Sequence, residues 1–205
     1  MFLEEKPTKL LYPSQTRWLL LKQVCSRILE HWPSLFLFFQ KAALGDDLPA
    51  ARTIFNALQN DIFKLYLQFL EFNLKLITDL NQELQSESPK MPLLLNRITS
   101  LYKSILKCFV KHDVIKNHEI ANINVKDPSI YRLVDNINFG GKVHAYLKNP
   151  ENEFKIAAAD LHNFKLRCLD FYVELCVQIK KRFNFQEKIL LYASLFPPSV
   201  VRSGI

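Results

Sequence analysis

The residues best equipped for chemistry in this 205-residue chain are its cations. Lys103, Lys107 and Lys111 recur at four-residue spacing, which on a helix makes one cationic edge. Lys180, Lys181 and Arg182 form a second cluster, with Lys188 a short distance on. Such edges suit a nucleic-acid backbone, where protein cations displace condensed counterions. The same spacing also describes the solvated side of an amphipathic helix, and both readings stand at this point. Lys and Arg total 27 against 20 Asp and Glu, a net charge of +7 that favours a polyanionic partner.

Groups for catalysis are harder to find. Cutting or joining nucleic acid typically requires carboxylates that hold two metal ions, usually on neighbouring strands. The chain shows no strand pair to carry them. Asp46-Asp47 adjoins a helix start and reads as a cap, whereas Asp79, Glu83 and Glu87 lie at four-residue spacing on a wet helix face. Ser14, Ser26 and Ser100 fall in helical settings without a nucleophile elbow, and His31 beside Trp32 reads as a helix-end imidazole. The chain has four glycines, and no G-x-x-x-x-G-K or G-x-G-x-x-G phosphate loop occurs. Cys25, Cys108, Cys168 and Cys176 make no C-x-x-C pair, and the five histidines make no H-x-x-x-H, so the ligand spacing of a zinc site is missing. Each cysteine sits among apolar residues, as expected of reduced core thiols in an intracellular protein. The expectation is a non-enzyme with no metal, no cofactor and no evident small-molecule substrate.

The elements that must position the cations read as helices. Residues 1–13 carry Pro7 and Pro13 and suggest an extended arm before a single helical domain over 14–203. From Ser14, apolar residues recur at three and four through Leu29. Pro33 suits the first turn of a second helix that Gly45 ends, and Pro49 begins a third to about residue 58. Periodicity then predicts long helices over Asp61–Gln85, Pro92–Lys111 and Glu151–Phe183, a short one to Leu147 after Gly140-Gly141, and another over Gln186–Phe196. Residues 112–138 lose periodicity and read as a long ordered loop with at most one short strand or helical turn. The fold class is therefore all-α, an irregular array with two or three long antiparallel helices as its spine. The greasiest run, Leu35–Phe39, is far too short to span a bilayer, and Met1-Phe-Leu-Glu-Glu-Lys lacks the cationic start of a signal peptide. No membrane partner is expected.

The segment Ser14-Gln15-Thr16-Arg17-Trp18-Leu19-Leu20-Leu21 reads S-x-T-R-W-L-x-L, followed by Arg27-Ile28-Leu29-Glu30 and Trp32-Pro33-Ser34-Leu35. This resembles the T-R-W-L segment and following I-L-x-x-W-P-x-L helix of hAT-superfamily transposases and their domesticated descendants. Phe139-Gly140 through Tyr146-Leu147, Lys181-Arg182-Phe183, and Leu195-Phe196-Pro197 through Arg202 continue the pattern in order. The similarity covers about residues 14–203, with the T-R-W-L start its most specific part.

In that family a helical insertion domain interrupts a ribonuclease-H-like catalytic core. The Arg-Trp pair lies where the core enters the insertion, with two catalytic Asp before it and one Glu after the insertion. Only 16 residues precede Arg17 here, too few for the strands that carry those Asp. The resemblance thus implies an insertion-domain module without catalytic carboxylates that acts in nucleic-acid or protein binding; the alternatives are a protein–protein interaction or oligomerisation domain with no DNA role, or a fragment of an active hAT transposase. It also implies that Trp18 stacks on an extruded base while Arg17 meets a phosphate. From periodicity alone, Trp18 shares a stripe with Leu21 and Cys25 and suits core packing. The expected partners are DNA, a related transposase-like chain or another protein. The expected location is intracellular and nuclear.

Overall fold

The computed structural model describes residues 18–45, 49–84, 91–153 and 155–185. The fold is all-α. Its helices are α1 (Trp18–Glu30), α2 (Trp32–Gly45), α3 (Pro49–Gln59), α4 (Asp61–Leu84), α5 (Met91–Phe109), α6 (His112–Asn117), α7 (Gly141–Lys148) and α8 (Ala158–Arg182). Four single-turn 3-10 segments complete the described elements. The chain divides into two compact units, residues 1–78 with 140–164, and residues 79–139 with 165–205.

In the first unit, α1 and α2 are separated by His31 alone, and backbone bonding continues through it: His31 N–H reaches Arg27 O at 3.0 Å and Leu35 N–H reaches His31 O at 2.9 Å. Pro33 lacks an N–H and falls in the first turn of α2, where no intrahelical donor is needed. α2 packs on α3, and the Asn60 side chain between α3 and α4 accepts the Ile62 N–H at 2.9 Å. Cys25, Trp32, Leu58, Leu67 and Leu74 form the buried cluster that joins these helices. At the start of α7, Gly140 takes φ +96°, and a Cβ there would meet Phe72 Cγ at 2.8 Å. Only glycine meets both conditions without strain.

In the second unit, α5 and α8 run in opposite directions. Phe109 stacks on Tyr172 with centroids 5.7 Å apart and planes 3° apart, while Tyr102 meets Phe185 at 5.0 Å. Tyr102, Ile105, Leu106, Phe109, Tyr172 and Cys176 are fully buried there.

Three boundaries depart from the sequence expectation. α5 ends at Phe109, so Lys111 lies outside it. The reason is an isolated antiparallel bridge between Val110 and Tyr131, in which Lys111 N–H reaches Ile130 O at 2.9 Å and Arg132 N–H reaches Phe109 O at 2.8 Å. Residues 112–138 hold more helical turns than expected: α6 and three 3-10 turns, at Ile120–Asn122, Pro128–Ile130 and Val134–Asn136. α8 begins at Ala158 rather than near Glu151. Asn149 accepts the Glu151 N–H at 3.1 Å and Lys155 Nζ donates to Asn152 Oδ1 at 2.8 Å, which stabilises a 3-10 turn in place of a helix start. The expected arm and the helix over Gln186–Phe196 lie outside the described residues.

Candidate functional site

Six of the eight predicted site residues fall in the second unit. Arg17 lies outside the described residues, and so does the side chain of Trp18, whose backbone opens α1. Lys103 and Lys107 stand exposed on the outer face of α5, opposite the buried Tyr102, Ile105, Leu106 and Phe109. Lys181 and Arg182 are exposed in the last turn of α8. None of these four makes a salt bridge among the described residues.

The other two cations are engaged. Lys111 Nζ donates to the Ser129 carbonyl at 2.6 Å, and Lys180 Nζ donates to the Ile123 carbonyl at 3.2 Å. Both tie down the segment between α6 and α7. Arg132 Nε joins them by donating to Val110 O at 3.0 Å, as does Tyr172 OH by donating to Asn138 O at 2.6 Å. Lys165 pairs with Asp135 at 2.6 Å. Within the segment, Asp127 Oδ1 accepts the Ser129 N–H at 2.9 Å, which holds the Asp127 carboxyl below its ordinary pKa.

Charge is unevenly divided between the units. The second holds fifteen Lys and Arg against ten Asp and Glu, a net +5, whereas the first holds twelve against ten. Most of the basic excess therefore belongs to the unit that carries these five lysines and one arginine.

The first unit has a polar cleft of about 480 Å³ that sequence reading missed, lined by Ser26, Leu29 and Glu30 of α1, Lys64, Gln68 and Glu71 of α4, and Lys142 of α7. Glu71 organises it. Ser26 Oγ donates to Glu71 Oε1 at 2.9 Å, and Lys142 Nζ donates to Oε2 at 2.6 Å. The neighbouring Cys25 thiol has its pKa raised, first by burial and then by the Glu71 charge. Lys64 Nζ stands over the Trp32 ring, 5.4 Å from its centroid. The available signal was Lys64, Gln68 and Glu71 at intervals of four and three, a polar line on a helix otherwise rich in apolar residues.

All four cysteines are buried and unpaired. No group of three His, Cys, Asp or Glu among the described residues could hold a metal ion. No described helix is long and apolar enough to cross a membrane. No family model, no curated protein and no solved structure matches this chain.

Proposed function

We propose that the chain is a transposase-derived, non-catalytic helical module that binds the nucleic-acid backbone through the second unit. The observation that carries this reading is the concentration of charge: a net +5 in that unit, with Lys103, Lys107, Lys181 and Arg182 exposed and free of described salt bridges. Exposed cations without protein counter-ions are those able to release counterions from phosphates. The resemblance over residues 14–203 supports the transposase origin, and a DNA-directed module acts in the nucleus. Fluorescence anisotropy of a labelled DNA duplex at low salt tests the binding. A variant with all four cations changed to Gln should bind at least tenfold more weakly, by loss of about one phosphate contact each. Equal binding by the variant would remove the assignment. Strand cleavage by the purified chain with added magnesium would overturn the non-catalytic part.

A second reading, protein binding without a DNA role, is favoured by one feature of the first unit. Leu37 and Leu44, at 55% and 81% exposure, lie seven residues apart on one face of α2, and Phe38 beside Leu37 is 65% exposed. Apolar surface grouped in this way marks interaction sites. Absence of duplex binding at low salt would leave this reading in place.

A further inference from the structure

α2 is apolar on two sides, and the fold covers one of them. Trp32 belongs to the buried cluster of the first unit, and Leu35, Phe36 and Phe39 pack against that cluster. The Phe36 ring meets Phe55 of α3 with centroids 5.3 Å apart, which fixes the helix on its support. On the other side Pro33, Leu37, Lys41 and Leu44 recur at intervals of four, four and three, and all are exposed. A helix apolar on both sides is normally covered on both. The same helix helps to wall an open cleft of about 600 Å³, formed by Trp32, Pro33, Phe36 and Leu37 with Leu58 of α3 and Asp61 of α4. That cleft lies along the N-terminal half of α2. Leu44, at 81% the most exposed large apolar side chain among the described residues, stands at the C-terminal end. A knob at one end of a helix and a hole at the other are what a two-fold pairing requires, because each copy offers what the other takes. Lys41 is the sole charge on α2 and Asp61 the sole charge lining the cleft, so this face brings no net charge to a second copy although the whole chain carries +7.

We propose that the outer face of α2 pairs with the same face of a second copy of this chain. The two helices run antiparallel about a two-fold axis at the level of Phe38, and Leu44 of each copy then lies level with Trp32 of the other and enters its cleft. The 14 residues of α2 make a strip about 21 Å long, which puts the contact at the small end of specific interfaces and its dissociation constant at about 10–100 µM. The pairing rests on the apolar face that carries the second reading above and names its partner. It does not depend on the nucleic-acid reading, because every residue in it belongs to the first unit.

The test is sedimentation equilibrium of the nuclease-treated full chain at rising concentration. The mass should climb from 24.0 kDa towards twice that value as the concentration passes about 100 µM. Leu44→Glu, an exposed change that leaves the thermal transition in place, would carry an unpaired charge into the cleft and should weaken the dimer roughly tenfold or more. Leu133→Glu is the control: that side chain is 75% exposed but belongs to the second unit, and its loss should leave the dimer unchanged. A dimer that resists Leu44→Glu, or that Leu133→Glu weakens equally, would overturn the pairing. A chain that stays at 24.0 kDa up to millimolar concentration would overturn it too, while the wider reading, in which this face takes a different protein, would stand.

Discussion

Lys180 turns its ammonium onto the carbonyl of Ile123 at 3.2 Å, while its neighbours Lys181 and Arg182 stay in solvent. One basic run thus holds a structural cation beside two that are available to a partner. Lys111 repeats the pattern against Lys103 and Lys107, because its Nζ is held by Ser129 O at 2.6 Å. Lys180→Met should lower stability by about 0.5–1.5 kcal/mol, the net contribution of such a bond, and chemical denaturation checks it. Lys181→Met should leave stability within about 0.5 kcal/mol of the parent.

Gly140 and Gly141 make a paired test. Gly140→Ala forces a Cβ to 2.8 Å from Phe72 Cγ at φ +96°, and should cost about 1–3 kcal/mol. Gly141→Ala, with nothing within 4 Å of the added carbon, should stabilise α7 by about 0.4–1 kcal/mol. Thermal melts of the two variants should move in opposite directions.

The tyrosines of the second unit differ in the same measurable way. Tyr172 OH donates to Asn138 O at 2.6 Å, whereas the buried Tyr102 OH has no hydrogen-bond partner among the described residues. Tyr172→Phe should therefore destabilise by about 1 kcal/mol, and Tyr102→Phe should be neutral or stabilising. Urea midpoints decide this. A larger loss for Tyr102→Phe than for Tyr172→Phe would show that the two hydroxyls have been assigned the wrong roles.

Burial pushes the Cys176 thiol up to about 12 from an ordinary 9.0, with the Cys108 charge adding to the rise, and raises Cys168 in the same direction. The unfolded chain releases these protons near pH 9, while the folded chain keeps them. Stability is thus undiminished below pH 9 and falls as pH rises towards 12, by about 1.4 kcal/mol per pH unit for each thiol. Denaturation midpoints measured from pH 7 to 11 check the sign. A thiol reagent at pH 8 should modify Cys168 and Cys176 only as fast as the chain opens.

Much of the helical frame was legible because its signals are local. Pro33, Gly45 and Pro49 mark ends that α2 and α3 respect, and the apolar repeat from Asp61 gives α4 almost to the residue. The segment after α5 was illegible because its order comes from far along the chain. Lys180 reaches Ile123 across 57 residues, Tyr172 reaches Asn138 across 34, and Arg132 reaches Val110 across 22. No periodic pattern encodes such bonds. The cationic cluster was visible as composition, but its division into engaged and exposed members was not, since Lys111 and Lys180 look like their neighbours until the carbonyls of Ser129 and Ile123 are in place. The Glu71 cleft was hidden for a related reason: Ser26 lies 45 residues from Glu71, and Lys142 lies 71 away.

Duplex DNA affinity measured against salt concentration tests the central claim most directly. With Lys103, Lys107, Lys181 and Arg182 each meeting a phosphate, the logarithm of the association constant should fall against the logarithm of salt with a slope of about −3 to −4. Each Gln substitution among the four should reduce that slope by about one, while Lys180→Met should leave it unchanged. A slope near zero, or no binding at the lowest salt, would contradict the account.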